Sequence, residues 1–319
     1  MNVLVTGVAG FIGSHVAEAL LARGDAVSGL DNFDAYYSPA RKRANVAPLT
    51  ALPRFTLHEA DLRDADEMER LCTQGRFDAI IHLAAMAGVR YSVERAPLYV
   101  DVNVRGTVNL LEAARRAGCP HVVFASTSSV YGNTQHLPFR EEEPTGQPLA
   151  PYPATKIAGE AMGHAYHNLF GLSFTALRFF SVYGPRGRPD MMPYHITDCV
   201  ARGQEFVLFE GGEMYRDWTY IADIVSGVVS AVDRPLGYEV INLGRGEPVR
   251  MADFVALVEE LVGKPAQMST PPAPPSEPHT TFADIAKARR LLDYHPQTPV
   301  AEGMRQLWRW YRAELLNKG

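Results

Sequence analysis

Asn2-Val3-Leu4-Val5-Thr6, running straight into Gly7-Val8-Ala9-Gly10-Phe11-Ile12-Gly13, constrains this chain more than any other stretch. The branched apolar run predicts a short buried strand. Ile12, Val16, Ala19, Leu20 and Ala22 form an apolar stripe at helical spacing, and Gly24 stands where a helix end favours a left-handed residue. Strand, glycine turn and helix in this order bring backbone N–H groups and the positive helix end to a pyrophosphate, with the glycines allowing close approach. Residues 26–30 then predict a second strand ending in Asp31, a carboxylate placed for the ribose hydroxyls of a dinucleotide. That carboxylate favours NAD over NADP, against the nearby basic run Arg41-Lys42-Arg43. Gly7, Gly10, Phe11, Ile12, Gly13, Asp31 and Asn32 are the expected cofactor contacts here.

The rest of the chain keeps the same rhythm. Further strands are expected at 54–58, 79–83, 121–125 and 173–179, with helices near 97–117 and 153–169. Alternation of this kind builds an α/β protein with a Rossmann-type, doubly wound parallel sheet, whose ligands gather beyond the carboxyl ends of the strands. Asp61-Leu62, Leu83-Ala84-Ala85 and Ser126-Thr127-Ser128 occupy those ends. After about residue 180 the chain turns to Gly-, Pro- and Arg-rich loops and shorter elements. The expected division is therefore a NAD-binding domain at 1–180 and a smaller C-terminal α/β substrate domain at 181–319. Segments near 215–233 and 238–243 are candidates to return to the first domain. Pro271-Pro272-Ala273-Pro274-Pro275 predicts a stiff surface connector, and Arg140-Glu141-Glu142-Glu143 a solvated loop.

A 46% hydrophobic content over 319 residues is ample for packed cores. A net charge of −5 without long basic runs argues against nucleic acid or an anionic membrane as partner. The opening strand and the lack of a spanning apolar stretch predict a cytoplasmic protein. Cys72, Cys119 and Cys199 fit reduced, buried thiols, and His164 and His167, without an acidic partner or third histidine nearby, fit packing roles, so no metal is expected.

Tyr152 and Lys156 stand one helical turn apart, so in a helix both project from one face. Pro153 predicts that this helix starts at Tyr152. A lysine within about 4 Å of a phenol favours the phenolate by roughly 4 kcal/mol at an effective dielectric near ~20, which makes tyrosine a usable base near neutral pH.

Together with His82-Leu83-Ala84-Ala85, Ser126-Thr127-Ser128-Ser129-Val130-Tyr131-Gly132, Arg178-Phe179-Phe180-Ser181-Val182-Tyr183-Gly184-Pro185 and Arg216-Asp217-Trp218-Thr219-Tyr220, these motifs resemble the extended short-chain dehydrogenase/reductases of the nucleotide-sugar epimerase and dehydratase group. The glycine spacing, one residue off G-x-G-x-x-G, is that group's habit. Within the group, Asp31-Asn32-Phe33-Asp34-Ala35-Tyr36-Tyr37, Ala87-Gly88-Val89-Arg90-Tyr91-Ser92 and Gly184-Pro185-Arg186-Gly187-Arg188-Pro189-Asp190-Met191 are similar to the members that act on a UDP-linked uronic acid.

The resemblance implies NAD-dependent inversion at C4 of UDP-glucuronate, giving UDP-galacturonate, through a 4-keto sugar that rotates before hydride returns. It implies Tyr152 as base, Lys156 on the nicotinamide ribose and Thr127 on the sugar 4-oxygen. Asp61, Leu62, Leu83, Ala84, Ala85 and Asn103 complete the NAD contacts. Ser128, Ser129, Ser181 and Arg188 fall near the sugar carboxylate, Phe209 near uracil, Arg216 on the diphosphate and Glu277 on the ribose, with Gly88, Val89 and Arg90 also on the substrate side. Relatives that dehydrate or decarboxylate carry Asp-Glu or Ser-Glu where this chain has Ser128-Ser129. Where relatives carry a Gly-Asp pair, this chain has Pro274-Pro275-Ser276-Glu277. The group also pairs two helices across a homodimer, and here the stripe Val104, Val108, Leu111 and Ala114 fits either that contact or packing on the sheet. The rival readings are a UDP-glucose 4-epimerase or other nucleotide-sugar epimerase, dehydratase or decarboxylase, and a non-catalytic NAD-binding sensor or scaffold.

Overall fold

A computed structural model describes residues 1–274 and 277–316 of the chain. Pro275 and Ser276, in the two expected proline-rich stretches, lie outside the described residues. The elements run β1 (Asn2–Thr6), α1 (Phe11–Arg23), β2 (Ala26–Asp31), α2 (Pro39–Thr50), β3 (Phe55–Glu59), α3 (Ala65–Gly75), β4 (Ala79–His82), α4 (Val89–Glu94) and α5 (Ala96–Tyr99). A π-helical turn, Val100–Arg105, leads into α6 (Gly106–Ala117), then β5 (His121–Thr127), a 3-10 turn (Ser128–Tyr131), α7 (Pro151–Phe170), β6 (Ser173–Phe179) and β7 (Ser181–Tyr183). The remainder is α8 (Met192–Arg202), β8 (Glu205–Val207), a 3-10 turn (Phe209–Gly212), β9 (Tyr215–Tyr220), α9 (Ile221–Asp233), β10 (Tyr238–Leu243), β11 (Pro248–Arg250), α10 (Met251–Val262), β12 (Gln267–Ser269), β13 (Thr280–Thr281), α11 (Ala286–Leu292) and α12 (Val300–Tyr311).

Seven strands form one parallel sheet in the order β10-β6-β5-β4-β1-β2-β3. Strands β4, β5 and β6 are buried along their whole length, as expected where helices cover both faces. The order reverses between β1 and β4, and that switch point is where such sheets bind ligands. Strand β10 pairs with β6, so a single cut at residue 180 would strip the sheet of its seventh strand. The segment 215–233 divides: β9 joins β7, β11 and β13 in a small second sheet, while Ile224, Val228 and Ala231 of α9 share the core that holds Val16 and Leu20 of α1.

Three local expectations change. In α1 the buried face is Phe11, Gly13, Ser14, Val16, Ala17 and Leu20, whereas Ala22 is exposed. Leu111 and Ala114 are fully buried in the core between α6 and the sheet, so they belong to packing. Glu141 is no solvated loop residue, since it accepts the backbone N–H of Asn242 (2.9 Å) while Arg178 donates to its carbonyl (3.3 Å), tying the loop to the sheet edge.

Candidate active site

Helix α1 begins without a side-chain cap and without an acidic residue in its first turn, so its first N–H groups have no intrahelical partner. They face a cavity lined by Gly7, Gly10, Phe11, Ile12, Gly13, Asp31, Asn32, Asp61, Leu62, Leu83, Ala84, Ala85, Tyr152, Lys156 and Arg188. Gly7 takes φ +70°, and a Cβ there would lie 2.8 Å from the Ala84 nitrogen; a Cβ on Gly13 would run into the Gly7 carbonyl. This cradle fits the pyrophosphate of NAD, because bare amides at a helix N-terminus suit an anion. Asp31 accepts from the amides of Ala9 (3.0 Å) and Phe33 (2.8 Å), and a carboxylate has lone pairs left for ribose hydroxyls. Burial pushes the Asp31 carboxyl up, opposed by the Lys42 ammonium and those amides.

The basic run beside Asp31 is dispersed. Lys42 lines the cavity and donates to the Asp34 carbonyl (2.8 Å). Arg41 lies over Tyr194, and Arg43 over Phe33 with an ion pair to Glu59. Asp61 is held by Asn32 (2.8 Å) and by the Arg63 fork, which keeps its carboxyl well below the usual range.

Helix α7 starts at Pro151, one residue before the expected Tyr152, with both Pro151 and Pro153 in its first turn. Two of the amides that would go unpaired are thus absent by chemistry, and the Tyr152 N–H is taken by Ser92 Oγ (3.1 Å). Thr155 Oγ1 bonds the Tyr152 carbonyl (2.7 Å), and the Tyr99 ring stands edge-on to the Tyr152 ring. Asn103, which the π-helical turn turns inward, does not line the cavity. It clamps Met86 through both backbone groups (2.8 and 2.9 Å) and reaches Thr155 (3.0 Å).

The charges that bear on the Tyr152 phenol differ from expectation. Burial pushes it up, and the pulls downward come from Arg188 and from hydrogen bonding with Thr127 rather than from Lys156, while Asp190 pushes up. Lys156 instead reaches over the Phe124 ring, 4.8 Å from its centre, and burial brings its ammonium down to about 7, against the Glu160 carboxylate. Glu160, one turn further along, is itself buried between Ser126 and a fork from Arg178 (2.9 and 2.8 Å).

Thr127 ends β5 and its hydroxyl caps the following turn, accepting from the Ser129 amide (3.2 Å) and donating to Ser129 Oγ (3.3 Å). Thr127, Ser128, Ser129 and Ser181 lie at the ends of β5 and β7 outside the cavity wall itself. A second cluster joins four expected residues from distant segments. Arg90 and Arg216 both pair with Glu277 (2.8 and 3.4 Å), and the Arg90 guanidinium covers the Phe209 ring at 5.3 Å. Gly88, at φ +95°, and Val89 open α4 beside it.

Residues 3–244 match the model of the NAD dependent epimerase/dehydratase family. The chain belongs to that family. It is 43% identical over 328 residues to UDP-glucuronate 4-epimerase 3 of Arabidopsis thaliana, covering 97% of this chain and 76% of the relative. It is 39% identical over 313 residues to a UDP-glucuronate 4-epimerase of Thermodesulfobacterium geofontis, covering 98% and 96%. Among solved structures, the UDP-glucuronic acid 4-epimerase of Bacillus cereus, in complex with UDP-glucuronic acid and NAD, superposes with a TM-score of 0.92 at 35% identity, covering 98% of this chain and 99% of the other.

Membership gives a context to residues that the sequence motifs contained but did not single out. Tyr36, Ser92 and Asp190 fall within the three stretches that carried the narrower resemblance, and each touches Tyr152, Arg188 or a neighbour of theirs. No described helix is long and apolar enough to cross a membrane.

Proposed function

We propose that this protein is an NAD-dependent UDP-glucuronate 4-epimerase, producing UDP-galacturonate. The observation that carries the reading is the meeting of Tyr152, Lys156 and Arg188 in the wall of one cavity whose floor is the glycine loop. NAD, held by the α1 amides, Asp31 and Lys156, supplies when bound the capacity to take a hydride from C4 and return it.

Tyr152 takes the proton from the C4 hydroxyl and gives one back after the ring has turned. Its phenolate is favoured by Arg188 and Thr127, which oppose the effect of burial. Thr127 orients the 4-oxygen. The planar guanidinium of Arg188, with Ser128, Ser129 and Ser181, receives the sugar carboxylate through charge-assisted hydrogen bonds. Phe209, Arg90, Arg216 and Glu277 anchor the nucleotide while the sugar turns, which keeps both faces of C4 within reach of one hydride site. Ser128-Ser129, carrying no acid for elimination, favours inversion over dehydration.

In the same reading the substrate part is the chain after 180 except α9, β10 and α11, which pack on the cofactor sheet. The protein pairs as a homodimer through the α6 and α7 side, where Val100, Met162 and Leu169 are exposed. The deciding experiment incubates purified protein with UDP-glucuronate, without added NAD, and follows C4 by NMR. The galacto isomer should appear, and a sample saturated with NAD that leaves UDP-glucuronate unchanged would sink the assignment. Inversion of UDP-glucose at an equal or greater rate would instead favour the neutral-sugar rival.

A further inference from the structure

The proposed reaction makes two opposed demands on Arg188. It must hold the sugar carboxylate well enough to select a uronate, yet the oxidised ring has to turn over inside the pocket. The guanidinium is already engaged. Nε donates to Asp190 Oδ1 (3.0 Å) and Nη2 to Asp190 Oδ2 (2.9 Å), a paired bond along one edge. Nη2 also donates to Met191 Sδ at 3.4 Å, which uses its second hydrogen. Nη1 makes no hydrogen bond among the described residues.

The carboxylate that occupies Arg188 is itself fixed. The Tyr36 hydroxyl donates to Asp190 Oδ2 (3.0 Å), and the Tyr36 ring packs on Tyr91 at 4.8 Å between centres. Gly88 leaves the room for this arrangement, since a Cβ there would lie 2.5 Å from the Tyr36 oxygen. A ligand carboxylate entering the cavity therefore meets one nitrogen, on a guanidinium whose charge is already shared, in place of an open fork. A fork-to-fork bond would add both strength and a fixed orientation, and either would resist rotation.

We propose that Asp190, locked by Tyr36, is a positioning residue that restricts Arg188 to a one-nitrogen hold on the sugar carboxylate, so that a uronate is selected without being immobilised. This rests on the function proposed above. It acts through ground-state binding: a hold that is tighter in the ground state and unmatched at the transition state lowers KM and kcat together.

The test measures binding and turnover separately. In a Tyr152→Phe background loaded with NAD, calorimetry gives Kd for UDP-glucuronate and for UDP-glucose. Asp190→Asn should tighten the uronate about tenfold, the factor that one more hydrogen bond to a charged group carries, and leave UDP-glucose unchanged. With Tyr152 intact, the same substitution should lower both KM and kcat for UDP-glucuronate. Tyr36→Phe, which frees Asp190 without removing it, should move Kd in the same direction by less, and stands in should Asp190→Asn fail to fold. Uronate affinity that is unchanged or weaker in both variants, or a parallel change for UDP-glucose, would overturn the proposal. A parent protein inert towards UDP-glucuronate would overturn the function reading and this inference with it, whereas an active parent with no tightening in either variant removes the inference alone.

Discussion

The two sides of the cleft bind charged groups by different means. On the cofactor side the anion cradle is main chain, made of the amides at the start of α1, strand ends, and a turn closed so tightly that Gly13 can carry no Cβ, with the Asp31 carboxylate fixed beside it on two backbone amides. On the sugar and nucleotide side the charged groups are long side chains that pair with one another: Arg188 with its near neighbour Asp190, and Arg90 and Arg216, from distant segments, with Glu277. Backbone is placed by the fold, so the cradle is preorganised, and its bare amides have no internal partner to give up when a ligand arrives. The second side offers a ligand guanidinium groups already held in internal ion pairs, which makes it adjustable and sensitive to salt.

The comparison breaks most readily at Gly13. A methyl group there meets the backbone of Gly7 and Val8, which cannot give way as a side chain could. Gly13→Ala should abolish retained NAD and turnover together, with a stability loss of about 1–3 kcal/mol typical of overpacking. The check is the nucleotide released when purified protein is denatured, alongside a melting curve. NAD at the wild-type level would show that the cradle is not built from backbone contact.

Lys156 joins the two sides, and its replacement sharpens the contrast through pH. Burial sets its ammonium at about 7 in the fold, against a usual value of 10.5. Above 10.5 the lysine is neutral folded or unfolded and costs nothing by this route. As pH falls towards 7 the unfolded chain takes up a proton that the fold refuses, so stability drops across that window and then levels. Other groups facing this site are His82, held down at about 3 by burial and by Lys156, and Glu160 with its Arg178 fork. Lys156→Met should therefore lower kcat by about 10²-fold or more, yet raise Tm relative to wild type by more at pH 7 than at pH 10. Equal Tm differences at both pH values would show that the ammonium is not paying a burial cost.

How much of this the sequence revealed follows the same division. The glycine loop, Asp31 and the strand ends were legible because a backbone site is written in consecutive residues with fixed periodicity. Strands β1 and β6 fall on their expected residues, and Gly24 closes α1 in the left-handed conformation at φ 94°. The start of α7 shifted by one residue because two prolines compete for one role and local rules do not rank them. Lys156 bears less on the Tyr152 phenol than their shared helix face suggests, for a different reason. Spacing along a helix shows that two side chains share a face, while where the longer one ends depends on Phe124, His82 and Glu160, which other elements bring in. Asp190 and Tyr36 are 154 positions apart, and no local pattern announces their bond. The return of β10 to the sheet is likewise a long-range pairing.

The smallest expected effect lies at Glu277, where the side-chain half is most exposed. Arg90 is largely solvated, with 66% of its side chain accessible, whereas Arg216 is nearly buried at 15%. Burial lowers the Arg216 guanidinium from its ordinary value, and Glu277 works against that. Under the proposed function Glu277→Ala would remove a contact to the ribose but release both arginines to the diphosphate, so the two consequences oppose each other in KM. The net change should stay within about 1 kcal/mol, the range of partly exposed ion pairs, with kcat unaltered. It should also change how KM responds to salt, because the freed arginines meet the diphosphate without an internal competitor. Initial rates at low and high ionic strength, for wild type and variant, provide the check. A large fall in kcat would place Glu277 near the reacting carbon, and an unchanged salt response would mean that its pairing with Arg90 and Arg216 does not compete with the nucleotide.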